Sequence, residues 1–140
     1  MGHIVEEVLR ENGIECAGTT EDVANFPDET AADAVCIDFT TPDAFRANYP
    51  SIARKFKAAV IGTTGWGDIK DDVIAAFEAA GTPMIYSSNY SIGVNAVFAA
   101  LERVGDILKG NGYVPHIEET HHIHKKDAPS GTAKTMAEIV

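Results

Sequence analysis

Cationic and proton-donating side chains are concentrated in one segment near the C-terminus of this 140-residue chain. Seven of them lie between positions 116 and 134: His116, His121, His122, His124, Lys125, Lys126 and Lys134. The segment also contains Asp127-Ala-Pro-Ser-Gly-Thr132, in which Ser-Gly-Thr is typical of a helix start. A helix N-terminus binds carboxylate or phosphate through free N–H donors, and histidine can supply a proton near neutral pH. This cationic segment, residues 116–134, therefore predicts a site for a small anionic substrate that is protonated during reaction.

Two other interpretations of the cationic segment stay open at the level of residue type. One is a solvated basic loop without a ligand. The other is a metal site, because three histidines lie close together. On a strand, His122 and His124 would share a face while His121 would point away. No further well-placed cysteine or carboxylate ligand is seen, and the adjacent lysines would oppose a cation.

Two other polar segments follow predicted strands. Ile61-Gly-Thr-Thr-Gly-Trp66 contains glycines that allow close backbone approach to a ligand, and threonines that offer hydroxyl and amide donors. Tyr86-Ser-Ser-Asn-Tyr-Ser-Ile-Gly-Val-Asn95 passes from a strand into a helix, with amide and phenol groups that suit a cofactor pocket. Each also has a structural interpretation, as an ordinary turn in the first case and as helix capping by Ser91 in the second.

Composition and charge narrow the class of protein. The hydrophobic content of 45% is ordinary for a globular domain, and no apolar run approaches the ~20 residues that span a bilayer. A net charge of −10 argues against a general nucleic-acid or membrane surface. Because this charge also repels anions, an anionic ligand must be held by local donors. Cys16 and Cys36 lie in apolar, strand-like stretches and are expected to be reduced core thiols of a cytoplasmic protein.

Apolar periodicity predicts alternating helices and strands. The predicted helices span residues 2–12, 68–80 and 132–140, and Gly81 is expected to end the second of these. Another is expected to start at Thr40-Thr-Pro-Asp43, with a threonine cap and Pro42 near the first helical position, and one more is capped by Ser91. The predicted strands span residues 14–17, 33–39, 58–62, 83–87 and 113–120. This alternation predicts an α/β fold with a doubly wound parallel sheet, whose ligands bind outside the carboxyl ends of the strands.

The spacing of apolar residues also predicts which helical side chains face the core. The expected inward residues, from the second helix to the fourth, are Phe45, Tyr49, Ile52, Phe56, Ile74, Phe77, Val97, Leu101, Val104 and Leu108. Pro50 is expected to kink or divide the helix that carries the first four.

The sequence Glu119-Thr-His-His-Ile-His-Lys-Lys-Asp-Ala-Pro-Ser-Gly-Thr-Ala133 closely resembles the signature E-x-H-H-x-x-K-x-D-A-P-S-G-T-A of the 4-hydroxy-tetrahydrodipicolinate reductase family. Three more segments resemble family segments in the same order: Asp38-Phe-Thr-Thr-Pro42, Gly62-Thr-Thr-Gly65 and Asn89-Tyr-Ser-Ile-Gly-Val-Asn95. Together these segments span most of the chain.

The resemblance implies a Rossmann-like cofactor domain over residues 1–90 and the start of an α+β substrate domain over residues 91–140. It implies reduction of 4-hydroxy-2,3,4,5-tetrahydrodipicolinate, a small dicarboxylate, by NADPH or NADH in lysine and diaminopimelate biosynthesis. No nucleic-acid or membrane partner is expected, and the family usually forms a homotetramer. The alternative is an inactive fragment, or a module of the same fold that binds a nucleotide or small anion without catalysis.

The resemblance also implies roles for individual residues. His121 would be the general acid, and Lys125 a proton donor or substrate anchor. Substrate contacts are expected at His122, Ser130, Gly131 and Thr132. Cofactor contacts are expected at Gly2, Gly62, Thr63, Thr64, Ser87, Ser88, Asn89 and Tyr90.

The chain departs from the family pattern at both ends. Met1-Gly2 corresponds to the last two residues of the family's first glycine loop, so the first strand and the leading glycines are expected to be missing. The candidates for a ribose-binding acid are Glu21 and Asp22. The chain stops at Val140, inside the helix after the histidines, so we expect it to be a fragment of a longer protein.

Overall fold

A computed structural model describes residues 1–123 and 128–140 of the chain. They form two compact units, Met1–Ser87 and Ser88–Val140. The first unit contains a sheet and four helices, and the second contains two helices. Within the described residues, no helix is long and apolar enough to span a membrane.

The first unit is built on a three-stranded parallel sheet. Strands β1 (Val35–Asp38), β2 (Ala58–Ile61) and β3 (Met84–Tyr86) are ordered β1-β2-β3, so β2 is central. The predicted strands over 33–39, 58–62 and 83–87 and the predicted α/β class with a parallel sheet are therefore confirmed.

Four helices accompany the sheet: α1 (Gly2–Glu11), α2 (Asp28–Ala32), α3 (Pro42–Lys55) and α4 (Lys70–Ala80). Helix α3 joins β1 to β2, and α4 joins β2 to β3. Their buried side chains share one core with those of β2: Phe45, Ile52, Ala59, Ile61, Val73 and Phe77. Because side chains alternate along a strand, this core covers one face of the sheet, while Val35, Ile37 and Ile85 are exposed.

Local capping explains where α3 begins. Thr41 is the N-cap, and its hydroxyl accepts a hydrogen bond from the backbone N–H of Ala44 at 3.3 Å. Pro42 occupies the first helical position, as predicted. The expectation for Pro50 was wrong in one respect, because α3 is a single helix that runs through it. Phe45 and Ile52, on either side of Pro50, are both buried in the core.

Two predicted strands, over residues 14–17 and 113–120, are not formed. A strand requires a neighbour that completes its hydrogen-bond ladder, and neither segment pairs with β1, β2 or β3. The backbone N–H of Ile14 instead donates to the carbonyl oxygen of Leu9 at 2.9 Å. Val114 is 88% exposed. Apolar composition was therefore not sufficient for strand formation in these two segments.

The start and inward face of α4 differ from the prediction in detail. A 3-10 turn (Gly67–Ile69) precedes α4, and Gly81, with φ +69, ends it. Val73 is buried with Phe77, whereas Ile74 is half-buried. The buried pair is thus spaced by four residues, which places both side chains on one helical stripe.

The second unit consists of α5 (Ile92–Leu108) and α6 (Gly131–Ile139), which pack against each other. Ser91 caps α5 as predicted, since its hydroxyl accepts a hydrogen bond from the N–H of Val94. Leu101 and Leu108 are half-buried, whereas Val97 and Val104 are each 47% exposed, so the predicted inward face was wrong for these two valines. The half-buried stripe also contains Val94, Phe98 and Gly105.

Candidate functional site

The carboxyl ends of β1 and β2 hold a buried carboxylate. Asp38, the last residue of β1, is 4% exposed. It accepts hydrogen bonds from the backbone N–H of Thr40 at 3.1 Å, from the hydroxyl of Thr40 at 3.0 Å and from the hydroxyl of Thr63. Residue type alone predicted no role for Asp38, although an acid that ends an apolar strand before two hydroxyl residues is a usable signal.

Thr63, an expected cofactor contact, is buried and turned toward this carboxylate. Its hydroxyl donates to Asp38, and its carbonyl oxygen accepts a hydrogen bond from the indole N–H of Trp66 at 2.6 Å. The side chain therefore fixes the shape of the 62–66 loop from inside. Gly62 and Thr64 on either side are half-buried, which leaves them part of their surface for a ligand.

Glycine is required at two positions of the 62–66 loop. A Cβ atom on Gly62 would lie 2.0 Å from Cε1 of Phe39, far inside van der Waals contact. Gly65 has φ +83, and a Cβ atom there would lie 3.0 Å from Cγ of Pro42. The loop thus packs directly against the segment that follows β1.

An arginine from α3 holds the outer side of the loop. Arg46 forms a bidentate pair with Asp68, with Nη–Oδ distances of 3.1 and 2.5 Å, and also donates to the carbonyl oxygen of Gly65 at 3.1 Å. The hydrogen bond to Arg46 holds the pKa of the Asp68 carboxyl below its usual range. The loop is therefore tied on its inner side by Asp38 and on its outer side by Arg46.

In the second unit, the segment before α5 is bonded to the first turns of α6. The side-chain amide of Asn89 donates to the hydroxyl of Thr132 at 3.3 Å, and the hydroxyls of Ser88 and Thr135 are 3.0 Å apart. Asn95 donates to the carbonyl oxygen of Asn89 at 2.9 Å. The structure thus joins residues expected on the cofactor side, Ser88 and Asn89, to the helix start expected to hold the substrate.

The N-terminus of α6 is organised by Glu119. Ser130 is the N-cap, and its hydroxyl accepts a hydrogen bond from the N–H of Ala133 at 3.1 Å. Oε1 of Glu119 accepts from the backbone N–H of Ser130 at 2.8 Å, and Oε2 accepts from its hydroxyl at 2.6 Å. Nε2 of His121 lies 2.9 Å from the same Oε2. Residue type alone predicted no role for Glu119, although it is the first residue of the histidine motif.

These hydrogen bonds stabilise the ionised form of Glu119. The Ser130 hydroxyl, then His121 and the Ser130 amide, lower the pKa of this carboxyl to about 2. Near neutral pH the group is therefore an acceptor only. Among the described contacts, the backbone N–H groups of Gly131 and Thr132 remain without a partner, which leaves two adjacent donors for an anion at the helix start.

The remaining predicted site residues lie on the surface, at the end of the first unit or outside the described residues. Gly2 is the exposed first residue of α1, and Ser87 ends the first unit, where its N–H donates to the carbonyl oxygen of Ile61 at 3.3 Å. Tyr90 and His122 are exposed. Lys125, like His124, lies outside the described residues. Within residues 1–123 and 128–140, no group of three or more His, Cys, Asp and Glu side chains is arranged to hold a metal ion.

Two family models match the chain, one after the other. The model described as dihydrodipicolinate reductase, N-terminus, matches residues 2–90. The model described as dihydrodipicolinate reductase, C-terminus, matches residues 93–140. Together they cover both units.

Curated proteins named 4-hydroxy-tetrahydrodipicolinate reductase are similar to the chain. The protein from Akkermansia muciniphila is 37% identical over 143 residues, covering 100% of this chain and 56% of the relative. The protein from Chromohalobacter salexigens is 42% identical over 132 residues, covering 90% and 48%. The protein from Aromatoleum aromaticum is 46% identical over 110 residues, covering 79% and 39%. The chain thus spans about half the length of the curated relatives it matches.

Proposed function

Because this chain belongs to the dihydrodipicolinate reductase family, we propose that it supplies substrate- and cofactor-contacting residues of an NAD(P)H-dependent reductase. In the proposed reaction, which the names of the relatives suggest, 4-hydroxy-2,3,4,5-tetrahydrodipicolinate takes up a hydride and a proton and loses its hydroxyl group as water, which gives 2,3,4,5-tetrahydrodipicolinate. The single observation that best supports this proposal is the Glu119 carboxylate, which bonds His121 and the N-cap of α6 at once.

The N-terminus of α6 suits one carboxylate of the substrate. The adjacent N–H groups of Gly131 and Thr132 lie at the positive end of the helix dipole, and Ser130 fixes the geometry of the first turn. His122 and Lys125 of the same motif would add positive charge or hydrogen bonds around the substrate. A net charge of −10 makes such local donors necessary.

The chain must also supply a proton. Reduction of a conjugated imine adds a hydride and a proton, so an acid has to stand near the ring. His121 has the chemistry for this role, and Lys125 is the second candidate. The side chain of His121 is 39% exposed, so both solvent and a ligand can reach it.

The residues of the first unit fit a nicotinamide cofactor. Gly62 and Thr64 offer backbone and hydroxyl groups at the carboxyl end of β2, the edge at which parallel sheets bind ligands. Gly2 and Ser87 of the same unit would add further contacts, while Thr63 maintains the loop from inside. When bound, the cofactor would supply the hydride. The relatives' names do not distinguish NADH from NADPH, so both are to be tested.

The proposal is tested by following NAD(P)H absorbance with the 140-residue chain and freshly generated substrate. We expect His121→Ala to lower turnover by roughly 10²- to 10⁴-fold while cofactor binding is retained. His116→Ala is the matched control, since His116 is an exposed histidine of the same segment without an assigned role. Equal turnover in His121→Ala would contradict the assignment. Cofactor binding with no substrate-dependent oxidation would favour the alternative, a non-catalytic nucleotide- or anion-binding module.

A further inference from the structure

One carboxylate connects the proposed acid to the proposed anion site. Glu119 receives hydrogen bonds from three donors that belong to two places in the chain: the ring of His121, and the amide and hydroxyl of Ser130. Ser130 is 7% exposed and eleven residues away from Glu119. An acid that only stabilised the helix start would need contacts with Ser130 alone. Glu119 also contacts the imidazole of His121.

The chemistry of the carboxylate decides which ring nitrogen carries hydrogen. Either nitrogen of a neutral histidine can be protonated, and the choice follows the partner of the ring. Ionised Glu119 can only accept, and Nε2 of His121 lies 2.9 Å from its Oε2. Nε2 must therefore be the N–H nitrogen of this pair. Nδ1 is then the nitrogen that is left to face a ligand.

From this geometry we propose that Glu119 is a positioning residue, which fixes the Nε2–H form of His121 so that Nδ1 delivers the proton to the substrate. The inference deepens the proposed function and rests on it for the identity of the substrate. When Nδ1 is protonated the imidazole is a cation, and its contact with Glu119 is then an ion pair. After transfer, the N–H at Nε2 stays in place, so the ring keeps its orientation.

The same contacts set the charge beside the anion site. Glu119 alone would repel a substrate carboxylate at Gly131 and Thr132, because it lies against the same helix start. Paired with a protonated His121 it is neutral, so the anion meets only the helix amides. Glu119 thus favours the substrate when the ring holds the proton to be transferred.

Replacing Glu119 by glutamine tests the proposal because the Ser130 amide dictates how a glutamine side chain must lie. The Ser130 N–H can only donate, so it requires the amide oxygen opposite it. The NH₂ group of Glu119→Gln then faces Nε2 of His121, which must become an acceptor. We expect ¹⁵N spectra of the 140-residue chain to show hydrogen on Nε2 of neutral His121 in the parent protein and on Nδ1 in the variant. Turnover should fall by about 10²-fold or more.

Two control variants separate positioning from helix capping. Ser130→Ala removes the cap hydroxyl but leaves the Glu119–His121 pair, so the Nε2–H signal should remain. Glu118→Gln changes an exposed neighbouring acid, and both its spectrum and its turnover should match the parent within about twofold. Circular dichroism of each variant verifies that α5 and α6 are retained.

Retention of the Nε2–H signal in a folded Glu119→Gln variant would overturn the proposal, whatever happened to turnover. So would an equal loss of that signal in Ser130→Ala. If the parent chain has no turnover, the ¹⁵N result still decides whether Glu119 positions the ring. Failure of the proposed reaction and failure of the positioning role are therefore distinguishable.

Discussion

At the scale of single residues, groups of the same type differ in burial and therefore in what they can contact. Asp38 is a buried carboxylate that three donors from Thr40 and Thr63 satisfy, so it serves the loop and not a ligand directly. Thr63 is buried and Thr64 is half-buried, although the two are adjacent and identical in type. Glu119, by contrast, is partly exposed, and its carboxylate contacts the ring of His121.

The two cysteines should react very differently in the folded chain. Burial, with a smaller contribution from the nearby Asp38 charge, raises the pKa of the Cys36 thiol to about 12. Cys16 is exposed, so the core position expected for it was wrong, because the segment around it forms no strand. Because the thiolate is the nucleophile, we expect iodoacetamide at about pH 8 to label Cys16 alone, as measured by peptide mass spectrometry. Urea should make Cys36 react as well. Labelling of both thiols at equal rates in the absence of urea would contradict the prediction.

At the scale of elements, the turns after β1 and β2 can be tested through Gly62. The Phe39 ring lies where a Cβ atom would be, so Gly62→Ala should lower the free energy of unfolding by about 1–3 kcal/mol, measured in urea. Gly67→Ala is the matched control, since a Cβ atom there meets nothing within 4 Å. It should leave stability unchanged or raise it by about 0.4–1 kcal/mol. Equal effects of the two changes would show that the Phe39 contact is unimportant.

The start of α6 gives a prediction that depends on pH. Ser130→Ala removes an N-cap and should destabilise α6 by about 1 kcal/mol near neutral pH, seen by circular dichroism during unfolding. The pKa of Glu119 is lowered from 4.5 to about 2 in the folded chain, so its contribution is complete above about pH 4.5 and is lost as the pH falls toward 2. The destabilisation caused by Ser130→Ala should therefore shrink over this acidic range. A constant difference between variant and parent would contradict it.

At the scale of the whole molecule, one face of the sheet remains apolar and open. Val35, Ile37 and Ile85 lie opposite the face that α3 and α4 cover, and Ile85 is 63% exposed. Contiguous apolar surface of this kind binds hydrophobic dyes. We expect Ile37→Thr together with Ile85→Thr to lower the fluorescence of bound anilinonaphthalene sulfonate.

The matched control for this surface is Ile92→Thr, which changes an exposed isoleucine at the start of α5, away from the sheet strands. It should leave dye fluorescence unchanged and alter the free energy of unfolding by less than about 0.5 kcal/mol. If Ile92→Thr lowered the fluorescence as much as the double change, the sheet face would not be the dye site.

Signals that act over a few residues could be predicted from the sequence. The caps before α3 and α5 were predicted from residue type, because Thr41 and Ser91 each bond a backbone N–H only three residues away. The Ser-Gly-Thr stretch likewise predicted a helix start, which the structure caps with Ser130. Local residue type also predicted the strands that contain Val60 and Ile85 and the end of α4 at Gly81. The histidine motif and the loop glycines also identified the family that the comparisons confirm.

Only the tertiary structure decided which predicted residues became paired, buried or bonded. The segments 14–17 and 113–120 are apolar enough for strands but lack a neighbour, and strand formation depends on that neighbour. The bonds of Thr63 to Asp38 and of Glu119 to Ser130 join residues 25 and 11 positions apart. Residue type predicted a proton donor and an anion site. Only the tertiary structure showed that the Glu119 carboxylate bonds both His121 and Ser130.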